Sequence, residues 1–319
     1  MNVVKKYLKK GKIKKVSKLI GKNRIEFLLI FLIVIASFLF GVLSSKLVLL
    51  KENGNTQTSQ DTQQAEDLTI LQNKVLKDKY VFKIVWKDLG KKMVQDGVID
   101  KAKLAQAVTG EDKLPKEFEK YFDGKQDKIE LTLENSRFWV DVLWGLGLAN
   151  KNAVLEEGEM MAEGDASGFA STGGWTLGKL EDAMNYYSKY SYINLSEKQQ
   201  ETVVEIAGNI YRPCCGNSTA FPDCNHGMAM LGLIELMVSQ NFSENEIYKA
   251  ALAFNTYWFP QTYLDTAYYL KQNGRDYEEV SPKELLSKDF SSAMGYQTTS
   301  ENVGSVEWPA LGSGGSCGA

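Results

Sequence analysis

Three of the four cysteines and the only histidine of the chain fall within thirteen positions, from Cys214 through Cys215 and Cys224 to His226. Thiolate and imidazole are the donors that soft and borderline metal ions prefer, in tetrahedral sets for zinc and smaller sulfur-rich sets for copper(I). The spacing here is Cys-Cys, eight residues, Cys-x-His, and then Met228 two positions on, with a thioether to offer. Structural zinc usually draws on two separated ligand pairs, whereas this set comes from one loop. The pattern therefore points to copper(I) before zinc, with Cys214, Cys215, Cys224 and His226 as primary ligands and Met228 as an auxiliary one. A helix starting near Met228 would turn its positive end toward Cys224 and His226, favouring thiolate and disfavouring imidazolium.

The same residues admit two other chemistries. A cysteine at a helix terminus beside a histidine has the parts of a nucleophile or redox pair. Cys317, the fourth cysteine, sits in the closing run Gly-Ser-Gly-Gly-Ser-Cys-Gly-Ala. A thiol on such a leash could visit the cluster and return, as a redox shuttle or a mobile metal donor. In an oxidising compartment, four cysteines could equally form structural disulfides. No Cys-x-x-Cys occurs in the chain, which argues against a thioredoxin-like mechanism, and no glycine fingerprint for a nucleotide cofactor is present.

Other constellations are weaker. The glycine-rich segment Gly164 to Gly178 could cradle an anion but lacks phosphate-loop spacing. Glu156, Glu157, Glu159, Glu163 and Asp165 form an acidic run without the spacing of a calcium loop, so a solvated face is expected.

The compartment is read from the amino-terminal 45 residues. Residues 27–45 read FLLIFLIVIASFLFGVLSS, without a charge, long enough to cross a bilayer core of about 30 Å as a helix. Ten lysines and arginines precede this span in residues 1–26, opposed only by Glu26. The positive-inside rule then keeps the amino terminus in the cytoplasm and places the remainder outside. Past residue 26 the chain holds 27 basic against 39 acidic residues, a net charge of −12. A surface of that sign argues against nucleic acid as a partner, because such affinity comes from phosphate neutralisation. The expected partners are the lipid bilayer and a metal- or thiol-bearing protein.

Residues 46–66 are polar and read as a stalk. A mainly helical domain is expected over 67–290, with a possible sub-boundary near 110–135, and a flexible tail over 291–319. Apolar spacing suggests one or two helices from Leu68 to Met93, a helix from Lys101 to Val108, and a buried one from Asn135 to Leu148. Ser196 with Gln199 and Ser243 with Glu246 match the capping box that opens a helix. Further helices are expected over Met228 to Gln240 and Gln261 to Asn273, and Ile129 to Leu133 is the best strand.

Overall fold

Two serines open long helices as their spacing predicts. The Ser196 and Ser243 hydroxyls accept from the backbone amides of Gln199 and Glu246, and each partner side chain bonds back to the serine amide. These caps are set in a computed structural model that describes residues 65–309 and Leu311. The basic segment, the span over 27–45, the stalk as far as residue 64, and Cys317 lie outside the described residues. Among the described residues, no helix is long and apolar enough to cross a membrane.

The protein is mainly helical. It begins with α1 over 65–75, which buries Leu68, Leu71 and Val75 at helical spacing. Of the one or two helices expected from Leu68 to Met93, the structure has two, with a strand between them. Tyr80–Phe82 forms strand β1, and helix resumes only at α2, Leu89–Gln95. After α3, Lys101–Thr109, and the short α4, Lys116–Glu119, comes β2, Ile129–Leu131, antiparallel to β1 with Val81 opposite Glu130. Val81 and its neighbours are apolar and β-branched or aromatic, so a strand partner fifty residues away outcompetes local helix formation.

The centre of the molecule is the pair α5, Ser136–Ala149, and α8, Asn225–Ser239. Both are apolar on nearly every face, which marks helices enclosed on all sides. Between them in sequence lie α6, Ala153–Glu156, the turns of the glycine-rich segment, and α7, Glu197–Asn209. Two glycines let α5 and α8 touch backbone to backbone. A Cβ on Gly147 would lie 2.1 Å from the Met228 carbonyl oxygen, and one on Gly232 would lie 2.5 Å from that of Leu143. Below this crossing Glu235 is fully buried and accepts from the Asn150 and Asn152 side-chain amides, both at 2.6 Å. Burial raises the Glu235 carboxyl well above its ordinary range, while the two amides oppose that rise.

Helices α9, Glu244–Trp258, and α10, Pro260–Gln272, complete the core, with Pro260 at the first position of α10, where a missing amide costs nothing. The region from Ser291 was expected to be a flexible tail. Instead, after α11, Pro282–Leu285, and α12, Lys288–Ser291, helix α13, Ala293–Val303, continues the fold past that point, and Trp308 is buried beyond it. Asp265 of α10 ties this end down, accepting from the Trp308 indole at 2.9 Å and the Tyr296 hydroxyl at 3.0 Å. From Leu68 the described residues form one compact unit, with a core running through the 110–135 segment.

Candidate metal centre

The loop between α7 and α8 is built around Arg212, a guanidinium only 1% exposed. Its nitrogens donate to the Asn217 carbonyl at 3.1 Å, the Phe221 carbonyl at 2.9 Å, an Asp223 carboxylate oxygen at 2.6 Å and the Cys224 sulfur at 3.1 Å. Asn217 in turn donates to the other Asp223 oxygen at 2.8 Å. The loop is thus wrapped on a cation rather than on an apolar core. Gly227 makes room for it, since a Cβ there would sit 2.5 Å from the guanidinium carbon. The amino end of α8 is itself positive. Placing a buried arginine against it requires negative charge nearby, and Asp223 and Cys224 are the groups that can supply it.

Cys224 occupies the N-cap of α8, a place usually taken by serine, threonine, aspartate or asparagine. Its sulfur accepts from the Gly227 amide at 3.3 Å. The Cys214 sulfur lies 3.3 Å away. Hydrogen bonds from Cys214 and Cys215, with the charge of Arg212, hold the Cys224 thiol below its ordinary value, against the rise that burial imposes. Cys214 moves the opposite way, raised by its hydrogen bonding to Cys215 and Cys224. The two shifts run in opposite directions because the sulfurs share a hydrogen bond. All three described cysteines are free thiols.

His226 is 8% exposed on the first turn of α8, its ring 4.5 Å from that of Phe259 and 5.6 Å from that of Trp258. Burial pushes its imidazole down to about 4, leaving it neutral and able to bind a metal through a ring nitrogen. Ligand atoms of Cys214, Cys224 and His226 all lie within 4.8 Å of one another, and those of Cys215, Asp223 and Cys224 form a second such group. Metal–sulfur bonds of about 2.3 Å and metal–nitrogen bonds of about 2.0 Å require ligand atoms roughly 3.5–4.5 Å apart. The Cys/His cluster could therefore hold a metal ion, after a small opening of the Cys214–Cys224 pair toward the exposed side.

Met228 stands differently. Residues two apart on a helix do not share a face, and Met228 is fully buried in the core where α8 crosses α5. The other weaker constellations are placed as well. Ser171 and Thr172 are fully buried, and the Ser171 amide donates to the Asp223 carbonyl at 3.1 Å, so the glycine-rich segment braces the cysteine loop. The acidic residues from Glu156 to Asp165 are exposed.

Sequence reading missed three charged residues. Arg212 organises the loop. Arg137 and Asp141, one turn apart on α5, line a cavity of about 220 Å³ that His226 also lines. The available signal was that Asp141 is the only charge in the apolar run from Phe138 to Ala149. No protein-family model, curated protein or solved structure matches the chain. Fold and site together define a mainly helical protein with a thiol–imidazole cluster able to hold a metal ion.

Proposed function

We propose that the chain is a membrane-anchored, extracytoplasmic protein that binds a thiophilic metal ion, copper(I) before zinc, through Cys214, Cys224 and His226. The reading is carried by the convergence of two sulfurs and an imidazole to within 4.8 Å at the amino end of α8. The Cys224 thiol is held below its ordinary value, burial keeps the imidazole neutral, and the exposed Cys214 provides the way in. Cys215 is a reserve donor for ion exchange, and Cys317 is the donor that would pass the ion to or from a partner protein. The anchor over 27–45 and the polar stalk hold this exchange at the outer membrane surface.

The test uses the full chain in detergent, reduced and free of metal, titrated with copper(I) against a chromophoric chelator. About one equivalent should bind. Cys224→Ser keeps a good N-cap, so its fold should persist while its affinity falls by at least two orders of magnitude, as should that of His226→Gln. An unchanged affinity in either variant, or no binding by the native chain, defeats the proposal.

One observation favours a second reading, thiol–disulfide exchange: the Cys214 and Cys224 sulfurs lie only 3.3 Å apart. Cys224 would attack a partner's disulfide and release one partner thiolate. Cys214 would then give up its proton and close a Cys214–Cys224 bond, leaving the partner as a dithiol. Mass mapping without reductant separates the two: metal-protected thiols support the ion, and a mixed disulfide through Cys224 supports exchange.

A further inference from the structure

The cavity beside His226 is lined by a carboxylate short of a hydrogen-bond donor. Asp141 is 7% exposed, and one of its oxygens has no hydrogen-bond partner among the described residues. Burial raises its carboxyl, and the pull of Arg137 does not offset that rise. A buried charge left without its hydrogen bonds is costly, so the site lacks a donor. Arg137 also lines the cavity and is already engaged in an interaction of its own, so it is not that donor.

Donors elsewhere on the wall are committed too. The Ser136 hydroxyl donates to the Leu133 carbonyl at 2.7 Å, and the Trp144 indole to the Ser171 carbonyl at 2.7 Å. The Trp258 indole donates to the Ser136 carbonyl at 3.1 Å, and the Tyr257 hydroxyl to the Lys77 carbonyl. Trp144, Tyr257 and Trp258 therefore bring aromatic surface to the cavity and no spare hydrogen. The volume, about 220 Å³, is far beyond the ~10–15 Å³ that one water requires.

A carboxylate among aromatic rings selects for a cation, because ring faces attract positive charge and do so more strongly when water is excluded. The unmade hydrogen bond narrows the choice further. A quaternary ammonium suits the rings but has no N–H for the Asp141 carboxylate, and a neutral alcohol has the hydrogen without the charge. A protonated primary amine supplies both. We propose that this cavity binds a primary ammonium carried on an apolar or aromatic group, its N–H donating to the Asp141 carboxylate and the attached group lying among Trp144, Tyr257 and Trp258. The aromatic walls add apolar contact with that group. The site is independent of the metal ion, although His226 borders both.

The test is isothermal titration of the full chain in non-ionic detergent, metal-free and reduced, with phenethylamine and two analogues. Phenethyltrimethylammonium keeps the charge and loses the N–H, and 2-phenylethanol keeps a donor and loses the charge. Phenethylamine should bind saturably at one equivalent, and each analogue at least tenfold more weakly. Asp141→Asn should lose at least tenfold for phenethylamine while its copper(I) equivalents and circular dichroism match the native chain, which separates this result from failure of the metal centre. The ranking of the three ligands is read on the native chain and decides the matter even where the variant folds poorly. No saturable binding, an analogue as tight as phenethylamine, or an unaffected, folded Asp141→Asn would each overturn the assignment.

Discussion

At the scale of single residues, Arg212 and Asp141 are two of the buried charged side chains among the described residues, in contrasting circumstances. Arg212 is surrounded by acceptors, and its burial is compensated by Asp223 and the Cys224 sulfur. Asp141 has Arg137 near it but keeps one oxygen unpartnered, and burial pushes its carboxyl up to about 6 against the pull of Arg137. That difference has a consequence for stability as pH changes. Below the ordinary value of 3.8 the carboxyl is protonated in folded and unfolded chains alike, and it costs nothing. As pH rises through 3.8 the unfolded chain ionises while the folded one holds its proton, so stability falls until about pH 6 and is level beyond it. Two units of displacement correspond to about 3 kcal/mol. His226 works in the other direction, since a base lowered from 6.5 to about 4 costs stability as pH falls through that window. Comparing native chain with Asp141→Asn cancels the histidine. In denaturant unfolding without amine, Asp141→Asn should match the native chain near pH 3.5 and exceed it by about 2–3 kcal/mol at pH 7. Equal stability at pH 7 would mean that the carboxylate is satisfied after all.

At the scale of elements, the candidate centre depends on how closely α5 and α8 approach, because α8 carries Cys224 and His226 while α5 carries Arg137 and Asp141. Replacing a glycine inside a helix by alanine normally stabilises it by up to about 1 kcal/mol. Gly208, near the end of α7, has nothing within 4 Å of a built Cβ, and Gly208→Ala should follow that rule. Gly147→Ala should reverse it, losing about 1–3 kcal/mol or more, because its Cβ would meet the Met228 carbonyl rather than a side chain that can rotate away. Thermal unfolding of the two variants gives the contrast directly, and equal signs would refute the close crossing. The same level shows what the sequence could reveal. Capped, amphipathic helices such as α7 and α9 were legible, because a serine with Gln199 or Glu246 three residues on has one local meaning. Strand β1 was not, since Val81 needs Glu130 opposite it to become a strand. Helix α13 was missed because it packs through Gly295 and Thr299 and carries no apolar stripe. At the site, clustering of Cys214, Cys224 and His226 was visible as spacing. The cage around Arg212 and the cavity at Asp141 arise from tertiary packing, which spacing does not encode.

At the scale of the whole molecule, the described residues form a unit with a core of its own. Apolar residues from Leu68 to Trp308 join one core, so the unit has little need of the chain before it. Among the described residues no helix is suited to a bilayer. The portion past residue 26 carries a net charge of −12, which anionic lipid would repel. Membrane attachment, on the reading proposed above, must then come entirely from the uncharged run at 27–45 and its basic flank. A chain beginning at residue 65 should fold with the same circular dichroism spectrum and the same copper(I) equivalents as the full chain, yet remain in the supernatant after carbonate extraction of membranes. The full chain should stay in the pellet under the same treatment, because roughly 20 apolar residues across a bilayer resist removal that strips electrostatic attachment. A full chain released by carbonate would rule out the anchor while leaving the metal centre standing. A shortened chain that stays in the pellet would instead place a membrane-binding surface on the helical unit itself. Because the anchor and the cluster fail by different measurements, location and chemistry can be judged separately.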